Sequence, residues 1–186
     1  MKKRTRVGFL NILSTCLLYG ISIITAPLFS RLLGTGGYGN VSNYNVWVSI
    51  LSIAATLQTQ ATLANAMVEY PESLQDKYQS SVLSLSFLAF AVVSALILLF
   101  LNPISHALNL SKFFILLVLF QSIGTYGVNF MNRKLTYEMK AGRNMLLSLG
   151  TTLATLGLSL LFVLMLPQEL RYYGRIVAIA AVYGLL

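Results

Sequence analysis

Apolar runs of membrane-spanning length alternate along the chain with short clusters of charge. The runs cover about Val7–Ser30, Asn40–Val68, Ser80–Leu101, Phe113–Met131, Met145–Leu166 and Ile176–Leu186. About 20 apolar residues cross a bilayer as a helix. Backbone groups in hydrocarbon must be satisfied internally, so each run is a helix or a strand of a closed barrel. Barrel strands alternate polar and apolar positions over about ten residues. The stretch Leu96-Ile97-Leu98-Leu99-Phe100-Leu101 does not alternate. The pattern predicts an all-α integral membrane protein, with residues 1–186 forming a single transmembrane unit.

Within the runs, uncharged polar residues fall on stripes. Span two carries Ser42, Asn45, Ser49, Ser52, Thr56 and Thr59, at steps of three and four that trace one helix face. Gln60 lies beside that stripe and Asn65 near its inner end. Span five carries Asn144, Ser148, Thr151, Thr155 and Ser159. Span four carries Gln121, Thr125, Asn129 and Asn132, and span one Asn11, Thr15, Ser22 and Thr25. Two readings compete. Ser and Thr let helices approach closely and bond back to their own backbone. Asn and Gln are costlier in hydrocarbon and need a partner or water. Asn45, Gln60, Gln121 and Asn129 therefore point to an aqueous path between helices, with Ser49 and Thr56 on the same stripe. Arg31 is the nearest charged candidate, at the outer end of span one. It either snorkels to the interface or faces the path.

Composition sharpens this picture. Of 186 residues, 56% are hydrophobic and 10% charged, and the mean hydropathy is +0.75. Ordinary soluble domains carry about 25% charge. A disordered chain and a soluble globule are both excluded. The length leaves no room for a separate catalytic domain, so no enzyme is expected. The net charge is +8, from 13 Lys+Arg against 5 Asp+Glu. These cations sit between apolar runs, so they report membrane topology and no nucleic-acid partner is expected. With the N-terminus inside, Lys2, Lys3, Arg4, Arg6, Lys77, Arg133, Lys134, Lys140 and Arg143 face the cytoplasm. Only Arg31, Lys112, Arg171 and Arg175 then lie outside. The bias predicts a multi-pass protein of the cytoplasmic membrane with a cytoplasmic N-terminus. Tyr38, Tyr44, Trp47, Tyr172 and Tyr173 fit an outer aromatic belt.

Local signals add detail. Pro27 should bend or end the first helix. The segment Leu32–Gly39 should form the turn into span two. It lacks the Lys-Ser/Thr ending of a phosphate-binding loop. Span two, at about 29 residues or roughly 43 Å, exceeds a core of about 30 Å and should tilt or project inward. Cys16 and His106 stand alone, so no disulfide, metal site, catalytic residue or cofactor is expected.

Several motifs, in order, carry a resemblance. Pro27-Leu28-Phe29-Ser30-Arg31-Leu32-Leu33-Gly34 is followed by Tyr38-Gly39 and Tyr44-Asn45-Val46-Trp47. Asn65-Ala66-Met67-Val68, Arg133-Lys134-Leu135-Thr136-Tyr137-Glu138-Met139-Lys140 and Gly174-Arg175-Ile176 come after them. The chain resembles the N-terminal half of Wzx-type oligosaccharide flippases. These belong to the superfamily of multidrug-and-toxin exporters and lipid II flippases. The resemblance implies a six-helix lobe of a two-lobe, V-shaped fold of about 12 helices that works by alternating access. It implies transfer of undecaprenyl-diphosphate-linked oligosaccharide repeat units for capsule, exopolysaccharide or O-antigen synthesis. On this reading Arg31 attracts the diphosphate, while Asn45, Gln60, Gln121 and Asn129 solvate sugars. The partners are that lipid-linked substrate, the bilayer and a C-terminal lobe, with other polysaccharide-assembly membrane proteins left open. Two alternatives stand beside it: a drug or cation exporter of the same superfamily, and a polymerase-like or structural membrane subunit.

The sixth run offers about 11 residues, roughly 17 Å of helix, against a core of about 30 Å. The sixth helix is therefore expected to be truncated, and the chain to be one lobe that is inactive alone.

Overall fold

The computed structural model describes residues 2–108 and 111–185. Met1, Asn109, Leu110 and Leu186 lie outside it, as do the side chains of Lys2, Lys3, Arg4, Arg6, Ala66, Met67, Val68, Glu72 and Leu108. The inner-side charge count and the Asn65–Val68 motif therefore rest partly on undescribed residues.

The elements are α1 (Lys2–Thr56), α2 (Leu63–Glu69), α3 (Glu72–Leu99), α4 (Leu101–Leu108), α5 (Lys112–Tyr137), α6 (Ala141–Met165) and α7 (Arg171–Leu185). Short 3-10 turns cover Thr59–Thr62 and Gln168–Leu170. No strand occurs among the described residues. Val7–Thr56, Ser73–Leu99, Lys112–Tyr137 and Ala141–Met165 are long and apolar enough to cross a membrane. Large apolar side chains such as Ile23, Leu146 and Met165 stand about three-quarters exposed, as a lipid-facing surface requires. The chain is an all-α, multi-pass membrane protein.

The first of these stretches has 50 residues, about 75 Å of helix, enough for two crossings of a core of about 30 Å. It is divided at Gly34, whose φ of 69° and ψ of 171° are not helical. The bend expected at Pro27 and the turn expected over Leu32–Gly39 both contract to this one residue. The helix continues through Pro27, because neighbouring groups can satisfy the carbonyl a proline frees. Only glycine reaches the Gly34 conformation without a Cβ clash against its own backbone. A Cβ there would meet nothing within 4 Å, so Gly34→Ala carries backbone strain alone, about 1–3 kcal/mol. Thermal unfolding in detergent should show that loss. Gly36→Ala, at an equally open helical position, should be neutral or mildly stabilising.

Span two differs from one long tilted helix. Helix α1 ends at Thr56, and Leu57 and Gln58 adopt left-handed φ values of 53° and 45°. The 3-10 turn and α2 follow. Backbone that leaves a helix at membrane depth must be buried in protein or line water. Here Thr59 and Gln60 are buried. The Thr59 hydroxyl meets the Ser86 hydroxyl and lies 2.9 Å from the Tyr126 phenol. Ser86 and Tyr126 are themselves 2.6 Å apart. This cluster ties the break to α3 and α5.

Other boundaries shift modestly. The segment after Asn102 is helical as α4, with Pro103 in its first turn, where a missing N–H costs little. Helix α7 starts at Arg171 rather than near Ile176.

The main core joins both arms of α1 to three other helices. Phe29 and Leu33 before the break, and Tyr44 and Val48 after it, meet Phe114 of α5, Val163 of α6 and Ile176 of α7. Tyr44 is fully buried and donates its hydroxyl to Gln121 Oε1 at 2.9 Å. Tyr38, Trp47, Tyr172 and Tyr173 pack against the same cluster. These aromatics, expected as a lipid-facing belt, build the interior of the helix bundle. Broad rings fill space there while their polar tips find partners. Arg171 sends Nη1 to the Leu32 carbonyl at 3.3 Å and Nε to the Leu166 carbonyl at 3.4 Å. It thereby caps two helix ends whose last carbonyls lack intrahelical donors.

Candidate functional site

A cavity of about 320 Å³ opens between the first arm of α1, α6 and α7. That is the small end of the range for ligand sites, about 300–1,000 Å³. Its polar lining comes from Ser22, Thr25, Tyr38, Thr152, Thr155 and Arg175. The polar stripes of spans one and five therefore meet here. Ser22 donates to the Leu18 carbonyl at 2.9 Å and Thr25 to the Ile21 carbonyl at 2.6 Å. Thr152 and Thr155 donate to the Ser148 and Thr151 carbonyls at 2.8 and 2.7 Å. Each hydroxyl proton is held by the helix, while each oxygen keeps the capacity to accept from a ligand or water.

Arg175 supplies the charge. Its Cζ lies 3.4 Å from the centroid of the Phe29 ring. Its Nε and Nη1 are buried without a hydrogen-bond partner. The ion pairs among the described residues join Glu138 to Lys134 and Lys140, at 3.8 and 2.6 Å; none reaches Arg175. A cation–π contact contributes about 0.5–2 kcal/mol. Removing a guanidinium from water costs several kcal/mol. The ring alone does not offset that cost, so the group is short of a counter-charge. An anion entering the cavity would supply it.

The backbone carries Arg175 toward the bundle, where it stays half-buried. It follows Gly174, where a Cβ would lie 2.6 Å from Leu166 Cδ1 and 3.1 Å from Phe162 Cβ. Glycine lets α7 lie close on α6, and the next residue is carried inward. Sequence reasoning counted Arg175 as an outer-side charge and as part of the Gly174-Arg175-Ile176 motif, but gave it no place in the path. The usable signal was its place directly after that glycine, at the start of an apolar run.

The residues singled out from sequence do not gather in this cavity. Arg31 is exposed and does not line it. Asn45 is half-buried, and Ser49 is exposed and donates to the Asn45 carbonyl at 2.9 Å. Thr56 is buried and donates to the Ser52 carbonyl. Gln60 is buried with Oε1 unpartnered. Gln121 is held by Tyr44, linking α1 to α5. Asn129 is exposed.

The sequence pattern of the family described as "Polysaccharide biosynthesis protein" matches residues 5–186. No curated protein and no solved structure matches the chain. The match spans both arms of α1 and every later helix through α7, so the chain belongs to the polysaccharide biosynthesis protein family, a transporter family that holds the Wzx-type flippases.

Proposed function

We propose that this chain is the N-terminal lobe of a flippase. Its substrate is an undecaprenyl-diphosphate-linked oligosaccharide repeat unit, moved from the inner to the outer leaflet of the cytoplasmic membrane. The observation that carries this reading is the partner-poor Arg175 guanidinium in a hydroxyl-lined cavity. A diphosphate offers oxygen acceptors in the geometry an arginine fork satisfies. The hydroxyl oxygens and the Tyr38 phenol suit the polar sugar beside it. A second lobe completes the transport path, and the two rock between inward- and outward-open states. With the N-terminus cytoplasmic, the Gly34 end of the lobe faces outward.

An exporter of organic cations fits this site poorly. Among the described residues the cavity has no acidic lining residue, and it presents a positive charge. The reading is tested by deleting the full-length gene from a host in which it is the sole such transporter. Surface polysaccharide should vanish, and lipid-linked repeat units should accumulate on the inner leaflet. Undiminished polysaccharide would rule the proposal out.

A further inference from the structure

Helix α7 also helps line a second cavity, about 260 Å³, at the Gly34 end of the bundle. Its lining is of two kinds. Asn40, Asn43 and Ser111 bring amides and a hydroxyl, while Tyr44, Phe114, Tyr172 and Tyr173 bring rings. Phe114 and Tyr173 stack with centroids 4.8 Å apart and planes 28° from parallel. Tyr172 and Tyr173 lie 4.3 Å apart at 39°. The rings support one another as a shelf whose position is fixed by the core beneath it. Tyr44 is locked by Gln121, and Phe114 is buried.

Among the described residues, no charged side chain lines this cavity. Phosphate, carboxylate and amine ligands would enter it uncompensated, and burying an unpaired charge is costly. A purely apolar ligand would leave the two amides unmatched, although each offers an acceptor and two donors. A pyranose ring meets both demands. Its axial C–H face packs on an aromatic surface, and its equatorial hydroxyls donate to and accept from amides. The volume, just below the usual range of about 300–1,000 Å³ for ligand sites, admits one ring rather than a chain of them.

We infer that the Asn40–Asn43–Tyr172–Tyr173 cavity is a subsite for a single neutral sugar ring, at the outward end of the lobe. The inference rests on the flippase reading for its biological sense. It assigns the diphosphate and a sugar to two separate cavities that share α7, so substrate release requires both contacts to break.

The test uses the purified full-length protein in detergent. The probes are the methyl glycosides of glucose, galactose and N-acetylglucosamine, followed by saturation-transfer NMR. At least one should show transfer concentrated on its ring C–H protons. Asn43→Ala and Tyr172→Leu should each weaken that binding by about fivefold, the scale of one hydrogen bond or ring contact. Tyr172→Phe keeps the ring and should retain it. Gly127→Ala lies outside both cavities, with nothing within 4 Å of an added Cβ, and should also leave it intact. No transfer to any of the three probes would overturn the inference, as would transfer that the Asn43 and Tyr172 variants leave unchanged. Sugar binding without transport in cells would leave this subsite standing and remove the flippase reading. Transport without sugar binding would do the reverse.

Discussion

Replacing Arg175 by Met in the full-length protein is expected to abolish export of polysaccharide while leaving the fold as stable as before, or more so. On the proposed reading the two effects separate, because the charge would serve a ligand rather than the protein. Within the structure Arg175 gains one ring contact with Phe29, worth about 0.5–2 kcal/mol. Against that stand a buried Nε and Nη1 with no partner. Replacing buried charge by a packed apolar side chain is often neutral or stabilising, by about 1–4 kcal/mol. Arg175 is only half-buried, so a gain at the bottom of that range is expected. The loss of function runs the other way. Truncating one partner of a desolvated charge pair costs about 2–5 kcal/mol, or roughly 30-fold to several thousand-fold in binding. Arg175→Lys keeps the charge but loses the fork and should fall between. Thermal unfolding and a cellular export assay, run on the same variants, check both halves. A variant that melts earlier yet exports normally would identify a purely structural arginine.

Gly124→Val should do the opposite and remove stability and function together. A Cβ on Gly124 would overlap the backbone carbonyl of Tyr183, and one on Gly184 would overlap the Phe120 ring. Helices α5 and α7 therefore touch almost backbone to backbone. Lipid gives no hydrophobic drive for helices to associate, so such close packing of small residues is what holds them. The obstruction at Gly124 is main chain, which has no rotamer to escape into, so α7 must shift. The cost should reach about 3 kcal/mol, the upper range for overpacking. Because α7 carries Arg175 and both tyrosines of the aromatic shelf, export should fall with stability. Gly127 lies on the same helix with nothing within 4 Å of an added Cβ. Gly127→Ala should leave both readouts unchanged. Equal effects from the two variants would show that helix propensity, not the crossing, is responsible.

Much of the architecture was legible in one dimension. Apolar runs and the charges between them are local properties, and they marked where the long apolar helices lie, although α3 starts at Glu72 rather than Ser80 and α5 runs on to Tyr137 rather than stopping at Met131. The Ser and Thr stripes were legible too, and most of these hydroxyls bond back to a carbonyl four residues earlier. That geometry is written into any helix with such residues. Two features resisted. The bend fell at Gly34 rather than Pro27, because neighbours can absorb a missing donor but nothing except glycine readily takes that backbone shape. The long second span broke after Thr56, because Thr59 found hydroxyl partners on α3 and α5.

The sequence by itself determined the membrane class, the all-helical build and the family. Transfer of apolar side chains into lipid and backbone hydrogen bonding depend on which residues are near neighbours along the chain. The tertiary structure alone decided which polar and charged groups end up together. Tyr44 meets Gln121 across 77 positions of sequence, and Arg175 meets Phe29 from the far end of the chain. Whether a charge is solvated or stranded depends on what packs around it. That is why Arg31, prominent in the sequence, lies exposed, while Arg175 holds the cavity.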